Sequence, residues 1–109
     1  MAGALDTVDD AGFDDDVLGS EIPVLLEFTA PWCKPCKAIE PHLLALRDAY
    51  AGRLRVLQLD IDVNLAVPSR YGVLSLPTVV GFRDGEVVVT LAGAKKRDAY
   101  DDAVAQLLA

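Results

Sequence analysis

The sequence predicts a small mixed α/β sandwich, and three observations predict it. Val24, Leu25, Leu26, Glu27 and Phe28 form a near-continuous apolar run, as in a strand covered on both faces, and a helical pattern separates it from a second interior strand. Strand, helix and strand read as a right-handed βαβ unit. Further on, Thr78 to Phe82 and Glu86 to Leu91 flank Asp84-Gly85, a strong hairpin signal, so the chain switches to antiparallel pairing. Tyr100, Val104, Leu107 and Leu108 then share one face of a C-terminal helix, which must cover the sheet.

Each element has its own local reason. Asp9 to Leu18 has Phe13, Val17 and Leu18 at helical spacing, with aspartates suited to a first turn, so a short first helix is expected. Glu27 interrupts the first strand. From Cys33 onward Ile39, Leu43, Leu46 and Tyr50 recur at steps of four, three and four, and Gly52 follows as a stop signal. This is a long helix, with a kink expected at Pro41. Leu54 to Leu59 alternates apolar with polar residues and leads into Asp60-Ile61-Asp62. A short helix is expected around Leu65 to Tyr71.

Size and charge narrow the function classes. A chain of 109 residues has room for one domain, 1–109, and 52% hydrophobic residues is too many for a disordered chain. No apolar run approaches the roughly 20 residues of a membrane span, and MAGALDTVDD lacks the basic and apolar regions of a secretory leader, so a cytoplasmic protein is expected. The net charge is −7, and residues 1–33 carry eight acidic and no basic side chains. Such a balance repels phosphate backbones and anionic lipid, which argues against nucleic acid and membrane partners. No exposed apolar face demands a second copy, so a monomer is expected.

The chemistry concentrates in Trp32-Cys33-Lys34-Pro35-Cys36, between the end of a buried strand and the start of a helix. Two thiols three apart can close a small disulfide, and the free N–H groups and positive dipole end favour the ionised first sulfur. Cys33 is therefore the expected nucleophile, reachable, with Cys36 shielded behind it. Pro35 suits a first helical turn, where a missing N–H loses nothing. Lys34 and Lys37 have the wrong sign for a helix N-terminus unless an anion lies nearby. They are read as helping to hold Cys33 as a thiolate, the bland alternative being solubilising surface lysines. A structural zinc site wants four ligands, whereas this chain offers one C-x-x-C pair and a lone His42; no metal is expected. No hydrolase pattern is present.

The chain resembles the thioredoxin family over nearly its whole length, from about Asp9 to Leu108. The resemblance rests on A-P-W-C-K-P-C-K (30 to 37), Pro41, L-D-I-D (59 to 62), R-Y-G-V (70 to 73), L-P-T (76 to 78), F-R-D-G-E (82 to 86) and Gly93. It implies a thioredoxin fold, with a central mixed sheet of four to five strands flanked by helices on both faces. It also implies a protein-disulfide reductase with no bound cofactor, whose redox-active group is the Cys33–Cys36 disulfide. Cys33 would attack a substrate disulfide and Cys36 would resolve the mixed disulfide. Disulfide-containing proteins would be the substrates, and a flavin- and NADPH-dependent thioredoxin reductase would be the electron donor.

The same resemblance makes Pro77 a cis-proline facing the cysteines. With Leu76 it would offer backbone groups to an extended substrate, while Trp32, Ile61, Ser75, Gly93 and Ala94 ring the contact surface. Trp32 could instead be a half-buried packing residue, and Gly93 a turn. Four departures from the family pattern stand out. Glu27 replaces a shorter buried Asp that would take the proton of the resolving thiol, and Gln58 replaces a buried Lys that would supply a counter-charge. A carboxylate in an apolar run should have a raised pKa and could act as a base near neutrality, unless it turns to solvent at a strand edge. Thr29 stands where an aromatic is expected, and Lys34 where a Gly is expected, which should make the disulfide more oxidising. A disulfide isomerase or oxidase, or a thioredoxin-fold assembly subunit with incidental thiols, are the competing readings.

Overall fold

The computed structural model describes residues 5–109. The first four residues, part of both the 1–109 domain span and the segment read above for a leader, lie outside the described residues. The element order is β1 (Asp6–Thr7), a π-type turn (Asp14–Leu18), β2 (Val24–Thr29), α1 (Lys34–Ala49), β3 (Arg55–Asp60), α2 (Ala66–Arg70), β4 (Thr78–Arg83), β5 (Glu86–Ala92) and α3 (Arg97–Leu108). The five strands form one sheet in the order β1-β3-β2-β4-β5. β1, β3 and β2 are parallel, whereas β4 pairs antiparallel with β2, and β5 antiparallel with β4.

Period-two alternation sorts the sheet residues between two cores. Leu25, Val56 and Val79 face Ile39 and Leu43 of α1 and Tyr100, Val104 and Leu107 of α3. Leu26, Phe28, Leu57 and Phe82 face the other way, onto Phe13, Val17 and Val67. Helices therefore flank the sheet on both faces, as the resemblance implies. Every residue of β2 from Val24 to Phe28 is buried, including Glu27, so this strand is covered on both sides.

One expectation needs correction, and one element has no sequence signal of its own. The helix expected over Asp9 to Leu18 shrinks to one π-type turn closed by Gly19 N–H to Asp14 O at 2.8 Å. Asp9 is used upstream of it, its carboxylate accepting from Gly12 N–H at 2.7 Å, and such a local side-chain bond competes with helix continuation. The element without a signal is β1, two exposed residues that add an edge to β3 and carry no alternating pattern to betray them. α1, by contrast, runs without interruption from Lys34 through Pro41 to Ala49.

Candidate active site

β2 delivers the chain through Ala30 and Pro31 to the start of α1, and Cys33 is the residue that caps the helix. Its extended backbone (φ −83°, ψ 102°) and the bond from Cys33 N–H to Ala30 O at 3.1 Å fix it there. The Cys33 Sγ accepts from Cys36 N–H at 3.2 Å, as a Ser or Asp oxygen does at an ordinary N-cap. An N–H otherwise left without a partner thus points at the sulfur on which charge would develop, at the positive end of the helix. No acidic residue occupies the first turn, and Pro35 does. Cys33 and Cys36 are joined in a disulfide, with Cα atoms 5.3 Å apart.

Ala30, Ile61 and Leu76 pack around the disulfide, and both cysteines are buried, Cys33 being 3% exposed and Cys36 2%. The expected contrast between a reachable and a shielded sulfur is therefore not one of overall exposure in this oxidised form, where the cross-link ties the first sulfur back against its neighbours. It lies in the surface each residue meets. Cys33 lines a groove of about 500 Å³ together with Trp32, Lys34, Ile61, Leu74 and Leu76, and Cys36 does not. Trp32 is 64% exposed, so the packing alternative for it fails. Its Nε1–H donates to both carboxylate oxygens of Asp62 at 3.1 Å.

The Leu76–Pro77 peptide bond is cis, and Pro77 O accepts from Gly93 N–H at 2.8 Å. Ser75 lines the groove with Leu76. Gly93 and Ala94 follow β5, and φ of +82° at Gly93 is itself a turn requirement that favours glycine. Lys34 belongs to the groove, whereas Lys37 lies in a separate pocket of about 260 Å³ with Thr29, Glu40, Gln58 and Asp60.

Beneath α1 the site holds a charge problem. Glu27 sits on the α1/α3 face of β2, is 1% exposed, and neither of its carboxylate oxygens has a hydrogen-bond partner among the described residues. Its register partner on β3 is Gln58, which carries no charge. Burial, with a smaller contribution from Glu40, pushes the Glu27 pKa up to about 8. The alternative in which Glu27 turns out to solvent is excluded.

Sequence reasoning missed Asp62 and Leu74. Asp62 stands in the L-D-I-D motif, but its bond to Trp32 spans 30 positions and no local pattern announces it. Leu74, 98% exposed, reads as an ordinary apolar loop residue. Among the described residues no group of three or more His, Cys, Asp or Glu could hold a metal ion, and no helix is long and apolar enough to cross a membrane.

The family model for Thioredoxin matches residues 4–106. A thioredoxin of Streptomyces clavuligerus is 46% identical over 99 residues, covering 91% of this chain and 92% of that protein. Thioredoxins of Haemophilus influenzae and Pseudomonas aeruginosa are each 44% identical, over 80% and 86% of this chain and 81% and 87% of their own lengths. These matches favour neither the assembly-subunit nor the isomerase reading. The chain belongs to the thioredoxin family of protein-disulfide reductases, and its redox-active group is the Cys33–Cys36 disulfide, which needs no bound cofactor.

Proposed function

We propose that this chain is a monomeric cytoplasmic electron carrier that reduces disulfides in client proteins and is recharged by a flavin- and NADPH-dependent thioredoxin reductase. The observation that carries the reading is the placement of Cys33: N-cap of α1, N–H donor aimed at its sulfur, and a face on the groove that Cys36 lacks. In the dithiol form the Cys33 thiolate attacks one sulfur of a client disulfide. A bond forms between Cys33 and that sulfur, and the other client sulfur leaves as a thiolate that takes up a proton. Cys36 then gives its proton to Glu27 and attacks Cys33, releasing the second client thiolate and leaving Cys33–Cys36 oxidised. Two electrons pass from the dithiol to the client.

In this reading Trp32, held by Asp62, and Ile61, Ser75, Leu76 and Pro77 seat the client segment, with Gly93 and Ala94 at its edge. Pro35 shapes the first turn and Pro41 serves only the helix. Lys34 supports the thiolate, so Lys34→Gly should lower the midpoint potential against glutathione. The reading is tested by coupling NADPH oxidation to insulin reduction through a thioredoxin reductase. Wild type should turn over, Cys33→Ser should fall below about 1% of it, and Cys36→Ser should accumulate a mixed disulfide at Cys33. Turnover that survives in Cys33→Ser contradicts it.

A further inference from the structure

The segment after β5 carries a cluster that the dithiol chemistry leaves unexplained. Lys95, Lys96 and Arg97 are consecutive and exposed, in a chain whose net charge is −7. Arg97 lies 3.8 Å from Asp101, while Lys95 and Lys96 have no ion pair among the described residues. Asp98 follows the run directly, in the first turn of α3. Lys96 is the N-cap residue and makes no side-chain capping bond, so its cation sits at the positive end of α3, where it is locally unfavourable.

Topology brings this cluster to the dithiol. β4 runs antiparallel to β2 and β5 antiparallel to β4, so β5 and β2 point the same way. α1 leaves the end of β2, α3 leaves the end of β5, and the two helices pack on the same face of the sheet. Their first turns therefore share one end of the molecule. The bond from Gly93 N–H to Pro77 O anchors the connection beside the cis-proline, and Lys95 N–H is fixed by the buried Tyr100 hydroxyl at 3.1 Å. Lys34, also without an ion pair among the described residues, lies on the groove at that same end.

The N-terminal aspartates lie elsewhere, and the acids at this end include Asp98 in the first turn of α3, Asp101 facing Arg97, Asp60 at the end of β3, and Asp62, which accepts from Trp32. Asp6 lies on β1, at the sheet edge opposite β5, and Asp14 to Asp16 lie in the π-type turn, which packs through Phe13 and Val17 onto Phe82 of β4 on the sheet face away from α1 and α3. Four ladder spacings of about 4.8 Å put the two edges roughly 19 Å apart. At 0.1 M salt the screening length is about 10 Å, so a ligand at Lys95 feels the exposed Lys95 and Lys96 side chains beside it far more than Asp6 at the other edge.

We propose that Lys95 and Lys96 form a docking rim for acidic polypeptide segments, so that this chain prefers client disulfides flanked by Asp or Glu. The proposal rests on the reductase reading and adds the class of client. A protein client fits better than nucleic acid, because the rim adjoins the thiol chemistry and the chain as a whole repels a long polyanion.

Three cystine-bridged peptides, identical but for a flank of three Glu, three Gln or three Lys, test it with the reduced full-length protein. At 0.1 M salt the Glu peptide should be reduced about fivefold faster than the Gln peptide and the Lys peptide slower, with the differences lost at 1 M. Lys95→Glu/Lys96→Glu should reverse the order, and Lys95→Gln/Lys96→Gln should flatten it, both leaving the Gln peptide rate unchanged. An order that survives in these variants, or no order in wild type while the Gln peptide is reduced, overturns the rim. Failure of wild type to reduce the Gln peptide overturns the reductase reading instead. An oligothymidylate that competes at the same lysines as well as the Glu peptide would mark the rim as a general polyanion site and overturn the proposal.

Discussion

Asp10 and Glu27 are both carboxylates on the approach to a helix, and the protein treats them in opposite ways. Asp10 accepts from Ala66 N–H and Val67 N–H at 3.0 Å each, at the start of α2. Its own N–H donates to Asn64 Oδ1 at 2.8 Å, and Asn64 Nδ2 donates to Asp60 O at 3.0 Å. The Val67 N–H above all, with those of Ala66 and Leu65, holds the Asp10 carboxyl below the usual range. Glu27 has none of this, and burial raises its pKa instead. One region uses a satisfied polar network to fasten a loop, while the other keeps an unsatisfied acid under the disulfide helix. The lesson is that a polar group with its partners supplied is architecture, and a buried one with none is a candidate for chemistry.

The largest expected effect breaks the Glu27 side. Its folded pKa of about 8 lies above the ordinary 4.5, so the folded chain binds this proton more tightly than the unfolded chain does. That contribution is complete below about pH 4.5 and is lost as pH rises toward 8, at about 1.4 kcal/mol per unit. By pH 7 wild type should have lost about 3 kcal/mol that Glu27→Leu does not lose. Urea unfolding of both oxidised proteins at pH 5, 7 and 8.5 measures it, and parallel pH profiles would contradict the account.

On the other side, Asn64→Ala removes two hydrogen bonds from a buried residue and should cost about 2 kcal/mol. The loss should be equal at pH 5 and pH 8 in the same unfolding assay, because no titrating group is buried there without partners. Insulin reduction by this variant should remain near the wild-type rate.

Resolution of a trapped mixed disulfide sharpens the comparison kinetically. If Glu27 takes the Cys36 proton, the rate should rise with pH through an inflection near 8, where the carboxylate forms. Glu27→Gln should slow resolution roughly tenfold at neutral pH and remove that inflection. Stopped-flow traces that keep it would assign the proton transfer elsewhere.

The smallest effect belongs to a neutral site on the Glu27 face. A Cβ at Gly81 would lie 2.8 Å from Val89 Cγ1 and 2.9 Å from Leu107 Cδ1. Gly81→Ala should therefore cost about 1 kcal/mol, at every pH, through crowding of the β4/α3 contact. A pH-dependent loss would show that the Glu27 effect is not specific to its charge.

Much of this was legible in the sequence because it is local. The apolar run of β2, the spacing along α1 and the Asp84-Gly85 turn each declare themselves within a few residues, and Glu27 was legible as a charge among hydrophobics. The W-C-K-P-C motif carries its own helix start. What stayed hidden depends on pairs far apart in the chain. Asp10 gives no sign that its partners are Asn64 and Val67, and Trp32 gives none that its ring nitrogen binds Asp62. β1 is two polar residues whose strand character comes only from the β3 edge beside them. Lys95 and Lys96 read as surface lysines until the topology sets them at the dithiol end.

The start of α1 makes one sulfur, that of Cys33, the attacking thiolate. Limiting iodoacetamide on the fully reduced protein at mildly acidic pH, followed by peptide mass mapping, measures this difference between the two sulfurs. Label on Cys33 is expected in at least roughly tenfold excess over Cys36. Equal labelling, or faster labelling of Cys36, would contradict it.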